Sequence, residues 1–439
     1  MQQILDLHIH SKYSRACSPL LTLENIEAAC RVKGVDIIAT GDFTFPEWFS
    51  EIKNKLVETA SGSGLYKLKT AKDDKIKFIL STEVALIYKD GGKARRIHLV
   101  IQAPNLSAAE ELNSKLDKNY NIRSDGRPIL GMSAPKLMKL CLEIDQKFLI
   151  YPAHAWTPWF SVFGSKSGFD KMEDCFHEFA KDVYALETGL SSDPEMNWRL
   201  SASDPLTILS SSDAHSLPNI ARETNVFEME NITYGEIYDI IKNKIIFKEA
   251  DVIHTLSKND RAAKNKIGVR YTIEFYPEEG MYHYDGHREH NVSFTPEQTK
   301  KLKGICPVCK KPLTVGVLSR VEELADRPLG SRPEGAAPFK KLVELDKIIA
   351  EALDIKSRSS NKVQMEYNSL IKQGNNELNI LLNISLNDLN KMTSPAIAEG
   401  VKRVRSGELI IKPGFDGQYG EVKIFDEKEK RKNNQKTLF

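Results

Sequence analysis

Eight histidine, aspartate and glutamate residues of this chain combine a metal-binding side chain with a place at or near the end of an apolar run. His8 and His10 stand two apart at the end of an apolar run, and on a strand that spacing points both imidazoles to one side. Asp42 follows VDIIATG, Glu83 follows KFILST, His98 lies inside RIHLVI, His154 follows FLIYPA, and Asp213 and His215 follow LTILSSS. Each is read at or near the C-terminal end of a strand. Buried without partners, such groups carry a prohibitive desolvation cost, which divalent ions remove. Imidazole and carboxylate suit zinc, manganese, magnesium or iron, and the donors suffice for two or three ions with shared ligands. Closely spaced ions of this kind support phosphoester hydrolysis, with Asp213, Glu83 and His154 as candidate catalytic residues. Glu187, after VYAL, faces the same rim and reads as a ligand, as a base behind the ligands or as a solvated loop residue.

A second constellation is His287-x-x-His290 followed by Cys306-x-x-Cys309, with fifteen residues between the pairs. Two such turns can clasp one tetrahedral zinc, and four protein ligands leave no open position, so the expected role is structural. His283 competes as a ligand, and a stray CxxC beside exposed histidines is the alternative.

Seven short β-branched runs, beginning at residues 4, 35, 77, 96, 148, 183 and 206, carry the first set, and segments such as 22–33 and 134–142 between them have helical spacing. This alternation predicts a parallel α/β architecture closed into a barrel, whose C-terminal strand ends converge on one face. The expected organisation is a barrel over 1–258, a zinc-binding module over 259–326, a Pro/Gly-rich linker over 327–339, a helical domain with a terminal β-hairpin over 340–425, and a mobile polar tail over 426–439.

With 439 residues, 41% hydrophobic and 28% charged, the chain has the composition of a folded, water-soluble protein. Six scattered cysteines argue against a disulfide framework, and the absence of a long apolar run argues against a membrane span, so a cytoplasmic location is expected. Residues 261–439 hold 31 Lys and Arg against 24 Asp and Glu, while the first part holds 31 against 36. That division suits an anionic partner in one half and cations in the other.

Asp6-Leu7-His8-Ile9-His10, Thr40-Gly41-Asp42, Thr82-Glu83, His98, Pro152-Ala153-His154-Ala155 and Ser212-Asp213-Ala214-His215 resemble the PHP family of metal-dependent phosphoesterases. The resemblance implies a distorted (β/α)7 barrel and three ions: one on His8, His10, Glu83 and Asp213, a second on Glu83, His98 and His154, and a third involving Asp42 and His215. Arg15 stands where that family often carries an Asp and reads as a phosphate contact. Barrel, zinc module and basic helical domain together, with the stretches HSKYSRACSP, ATGDFTFPEW, CPVCKKPLTVGVLSRVEELADRP and AIAEGVKRVRSGELIIKPGFDGQYGEVKIF, resemble the archaeal endonuclease Q family. That likeness implies incision of DNA on the 5′ side of uracil, hypoxanthine, xanthine or an abasic site, leaving 3′-hydroxyl and 5′-phosphate ends.

An enzyme that extrudes a base needs aromatic surface and positive charge. Trp156, Trp159 and Phe160 follow His154 and read either as a wedge or pocket floor or as a local cap on the barrel. Lys402, Arg403 and Arg405 read as phosphate contacts or as solvated helix charge. Gln435, Leu438 and Phe439 resemble the start of a sliding-clamp motif, or match it by chance. The competing functions are a PHP phosphatase or exonuclease and a nucleic-acid-binding scaffold without catalysis.

Overall fold

A computed structural model describes residues 1–247 and 266–426. All seven apolar runs form strands. In chain order the first half contains β1 (Gln2–Asp6), β2 (Ile37–Ala39), β3 (Leu56–Glu58), β4 (Leu65–Leu68), β5 (Lys77–Ile79), β6 (Ser81–Asp90), β7 (Lys93–Gln102), β8 (Ile129–Leu130), β9 (Leu149–Pro152), β10 (Ala185–Glu187), β11 (Thr207–Leu209) and β12 (Thr224–Glu228). The helix Leu23–Lys33 starts where the Thr22 side chain accepts from Asn25 N–H and stops at left-handed Gly34, and it buries Leu23, Ile26 and Cys30.

The ring runs β1, β2 and β5 in parallel. It passes to β7 where Ala103 N–H donates to Leu80 at 3.0 Å, then to β9, to β10 through Ala155 N–H donating to Glu187 carbonyl at 3.0 Å, and to parallel β11. A parallel bridge between Ile9 and Ala214 returns it to β1. This is the expected distorted seven-stranded barrel, packed inside by residues such as Leu5, Leu7, Ile38, Phe78, Leu99 and Leu209, all fully buried.

One strand direction departs from the all-parallel expectation. The run holding His98 is β7, which is antiparallel to both β6 and β9. The reason is local: Gly91 and Gly92, with φ of 57° and 75°, form a two-residue turn whose twist matches a hairpin, so the chain comes straight back instead of crossing over. Glu83 therefore lies on β6 itself, paired with Val100, while His98 pairs with Ala85 in mid-strand and not at a C-terminal end.

Beyond β12 the same sheet continues with antiparallel β13 (Gly268–Glu274) and, past the small hairpin β14 (Asp285–His287) and β15 (Val292–Phe294), with parallel β16 (Phe339–Lys341). Residues assigned from composition to the zinc module and the linker thus complete the barrel's sheet, because backbone pairing needs no change in composition. The expected boundary at 258 lies outside the described residues. The 327–339 segment is held against the barrel: Arg327 forks onto Asp204 at 2.7 and 2.5 Å, and Arg332 lies over Trp198.

Five helices follow, Leu345–Ala352, Asn361–Gly374, Glu377–Leu382, Leu386–Met392 and Pro395–Ser406, then the hairpin β17 (Ile410–Lys412) and β18 (Glu421–Lys423). Ser360, Asn376, Ser385 and Ser394 cap four of the helix starts with their side chains. Among the described residues no helix is long and apolar enough to cross a membrane.

A buried ion pair fastens this domain to the barrel. Lys33, at the end of the first barrel helix, lies 2.7 Å from Glu377 Oε2, which also accepts from the Tyr367 hydroxyl at 2.6 Å, while Glu377 Oε1 accepts from Leu345 N–H at 3.1 Å. Removing one partner strands a buried charge, whereas removing both does not. Glu377→Ala is expected to destabilise the protein by about 3–5 kcal/mol, and Lys33→Met with Glu377→Leu to recover most of that loss, as measured by chemical denaturation.

Candidate active site

The barrel mouth gathers the sequence-predicted donors into two groups joined by Glu83. His8, His10 and Asp213 form one cluster, and Glu83, His98 and His154 the other, with one donor atom from each residue within 4.8 Å of the others in its group. Glu83 Oε1 lies 2.9 Å from His98 Nδ1 and 3.2 Å from His154 Nε2; its Oε2 lies 3.4 Å from His10 Nε2. His10 Nε2 is also 3.1 Å from Asp213 Oδ1, and His8 Nε2 is 3.8 Å from both Glu83 and Asp213.

Backbone contacts around Asp6 put Asp213 there. Asp6, fully buried, accepts from Ser212 N–H at 3.0 Å and Ala221 N–H at 3.1 Å, and burial raises its pKa to about 6 against those hydrogen bonds. Asp213 N–H then donates to His8 carbonyl, and His10 N–H to Ala214 carbonyl. Asp42, His154 and Asp213 hold φ of 48°, 31° and 46°, a left-handed region that L-residues rarely occupy and that concentrates at functional sites.

Two carboxylates stand behind the histidines. Glu187 takes His8 Nδ1–H at 3.0 Å and His154 N–H at 3.0 Å. Asp42 takes His10 Nδ1–H at 3.0 Å with one oxygen, and with the other accepts from Ser11 N–H and Ser11 Oγ at 2.7 Å and Ser14 Oγ at 2.9 Å. Fixing the proton on Nδ1 leaves each Nε2 lone pair aimed at carboxylate oxygens, the arrangement that metal-ligating histidines adopt. Asp42, expected as a ligand of a third ion, is placed in the structure behind His10, one oxygen on the His10 Nδ1–H and the other on Ser11 and Ser14. His215 donates from Nδ1 to Asp213 carbonyl at 2.8 Å, its ring 4.6 Å from that of His10, which leaves Nε2 as its donor atom.

The site's own polar atoms call for cations. His8 Nε2, His10 Nε2 and Asp213 Oδ1 are buried and make no hydrogen bond. Without ions the protein compensates with protons: although burial opposes it, Glu187, Glu83 and Asp213 push His8 up to about 9, and His10 also rises well above its ordinary value. Against its own burial, His98 and Arg127 hold Glu83 well below the usual carboxylate range. The donor set therefore fits divalent ions, on His8, His10, Glu83 and Asp213 and on Glu83, His98 and His154.

Arg127 is the residue the sequence reading missed, at 3.0 Å from Glu83 Oε2. Its only signal was the Asp125-Gly126 turn before it, which carries no ligand spacing. Arg15 instead points outward, 81% exposed and paired with Asp125. Trp156, a candidate wedge, is buried, packs on Phe163 and donates to Asn197 Oδ1 at 2.7 Å, so it is a cap of the barrel. Phe160 covers His98, and Trp159 is 38% exposed with its edge against Tyr282. Arg405 caps the end of helix Glu377–Leu382 through the carbonyls of Ile380, Leu381 and Ile384, and Arg403 lies over Phe425 and bonds Ile424 carbonyl. Lys402 pairs with Glu399 on the same helix. Gln435, Leu438 and Phe439 lie outside the described residues.

The second constellation also comes together. His287, His290 and Cys309 present mutually close donor atoms, and Cys306 Sγ is 3.8 Å from His290 Nδ1. The hairpin of β14 and β15 carries the histidines, and Cys306 with Val292 and Leu313 forms a small core of its own. Against burial, the N–H groups of Cys309 and Val308 lower the Cys306 thiol, favouring thiolate. His283 lies apart, stacked on Tyr284.

Two measurements check these sites. Because His8 and His10 must lose protons to bind an ion, metal affinity of the barrel is expected to rise with pH by about tenfold per unit for each proton released, and the His8 contribution is expected to level off above about 9, as read by competitive chelator titration. Cys306→Ala is expected to remove one zinc equivalent and to unfold the β14–β15 module, seen by elemental analysis and proteolysis.

Comparison with known proteins places this geometry. Residues 344–408 match the model of the MJ0043 C-terminal domain. The chain is 32% identical over 287 residues to the uncharacterized protein MJ0043 of Methanocaldococcus jannaschii, which covers 65% of this chain; the chain spans about a third, 33%, of that protein's length. It is 26% identical over 438 residues to YqxK of Bacillus subtilis, covering 95% of this chain and 98% of that one. Among solved structures, the lesion-specific endonuclease from Pyrococcus furiosus superposes with a TM-score of 0.81 at 29% identity, over 97% of this chain and 96% of that one. Endonuclease Q in complex with a 27-mer duplex bearing an abasic lesion at its active site gives a TM-score of 0.79 at 30% identity, over 97% and 98%. With that identity sustained along nearly the whole of both chains, the protein belongs to the endonuclease Q family of DNA endonucleases.

Proposed function

We propose that the protein is a metal-dependent repair endonuclease that hydrolyses the phosphodiester 5′ to a deaminated base (uracil, hypoxanthine or xanthine) or an abasic site, leaving 3′-hydroxyl and 5′-phosphate ends. The observation that carries this reading is the pair of donor clusters sharing Glu83 at the barrel mouth, in a chain that superposes along its length on an endonuclease solved with an abasic-lesion duplex. Zinc, manganese, magnesium or iron suits the barrel donors, and zinc suits the Cys/His module.

When bound, such ions supply a water that is nucleophilic at neutral pH and charge neutralisation on the phosphoryl oxygens. The chain's own residues set the geometry. Glu187 and Asp42 lock the His8 and His10 rings, so their Nε2 atoms need no reorientation. Glu83 spans both clusters and couples their spacing. Phe160 over His98 shields one wall of the mouth from water. Trp159, half-exposed beside Tyr282, offers an aromatic face near the mouth for an unstacked base.

The test is incubation of metal-loaded protein with end-labelled duplexes carrying one deoxyuridine, deoxyinosine or abasic site. Internal incision on the 5′ side of the lesion is expected; terminal trimming indicates an exonuclease, and binding without cleavage a scaffold. Asp213→Ala is expected to lower incision by at least about a hundredfold while leaving DNA binding largely intact, and retained turnover would remove Asp213 from the catalytic set.

A further inference from the structure

Arg127 brings a permanent positive charge into a mouth otherwise lined with metal donors. Its Nη1 lies 3.0 Å from Glu83 Oε2, the oxygen that also faces His10 Nε2 at 3.4 Å, and the side chain remains 26% exposed. The loop that carries it is seated with unusual closeness. Asp125 Oδ1 accepts from Arg127 N–H at 3.1 Å and from Arg15 N–H at 3.2 Å, Gly126 N–H donates to Tyr13 carbonyl at 3.1 Å, and Ala85 N–H donates to Pro128 carbonyl at 3.0 Å. A Cβ at Gly126 would fall 2.4 Å from Ser14 Oγ and 2.5 Å from Asp42 Oδ2, so only glycine lets the backbone pass over the network that orients His10. A guanidinium held this way loses little freedom when it binds something.

A fixed cation beside a carboxylate shared by two cation sites is repelled once those sites fill. The repulsion is relieved when an anion with several oxygens enters between them, and a guanidinium's planar fork of donors matches a phosphate edge. Glu83 takes one of its N–H groups. Arg15, the phosphate contact expected from sequence, pairs its Nε with Asp125 Oδ2 at 3.3 Å and serves as the outer buttress of the same loop.

We propose that Arg127 is a phosphate-binding residue of this site, gripping a non-bridging oxygen of the phosphodiester under attack. The proposal deepens the phosphodiesterase reading above and rests on it for the identity of the anion. It is tested on the full chain loaded with manganese, titrated calorimetrically with inorganic phosphate, with bound manganese measured on the same samples and incision assayed on an abasic-site duplex. Arg127→Met is expected to keep its manganese but to bind phosphate at least about tenfold more weakly, and to lose about a hundredfold or more in kcat with little change in KM. Arg127→Lys is expected to recover part of both, and Arg127→Gln, which can still bond Glu83, neither. Unchanged phosphate affinity in Arg127→Met overturns the proposal; so does a loss that merely follows loss of manganese, which would leave Arg127 only a support for Glu83. Should the wild-type protein fail to cut DNA, the phosphate titration still decides the role of Arg127. Should wild type and Arg127→Met cut equally, the proposal fails while the nuclease reading stands.

Discussion

Lone pairs that the protein itself cannot satisfy govern this molecule. His8 and His10 donate their Nδ1 protons to Glu187 and Asp42, so their Nε2 atoms are turned as acceptors toward Glu83 and Asp213, which are acceptors too. Acceptor facing acceptor in a buried place is unfavourable unless something positive lies between. Protons can fill that role, as the upward shift of His8 and His10 indicates. Divalent ions fill it better, since each serves several donors at once.

The rest of the fold can be understood as support for that arrangement. The barrel brings strands from distant parts of the sequence to one mouth, and its closure runs through the ligand loops themselves, where Asp213 N–H meets His8 carbonyl and His10 N–H meets Ala214 carbonyl. Left-handed backbone at Asp42, His154 and Asp213 is tolerated because hydrogen bonds on either side hold it. Around the barrel, the Lys33 and Glu377 pair fastens the helical domain to the first barrel helix, and strand β16 ties the linker into the barrel's sheet.

Much of this was legible in the residues. The seven runs are the seven ring strands, and His8, His10, His154 and Asp213 meet as the strand-end reading requires, while Glu83 and His98 reach the same mouth from within the β6–β7 hairpin. What failed to show were features set by backbone geometry or by the partner of a side chain. Strand β6 was hidden because KFILSTEVALIY reads as one run, and only the Gly91-Gly92 turn reveals that β7 comes back antiparallel. Asp42 has the chemistry of a ligand, and nothing in its spacing says that Ser11 and Ser14 occupy its second oxygen. Trp156 and Arg405 have the chemistry of DNA contacts, and only packing shows one turned into the barrel and the other spent on helix carbonyls. Arg127 stands far from any ligand motif in sequence and arrives by loop docking alone.

Anomalous scattering from crystals grown with manganese, recorded at that metal's absorption edge, tests directly whether Glu83 bridges two ions. At least two peaks are expected in the barrel mouth, roughly 3.5–4 Å apart, both within coordination distance of Glu83. A mouth without peaks, or peaks that do not share Glu83, would contradict that bridge.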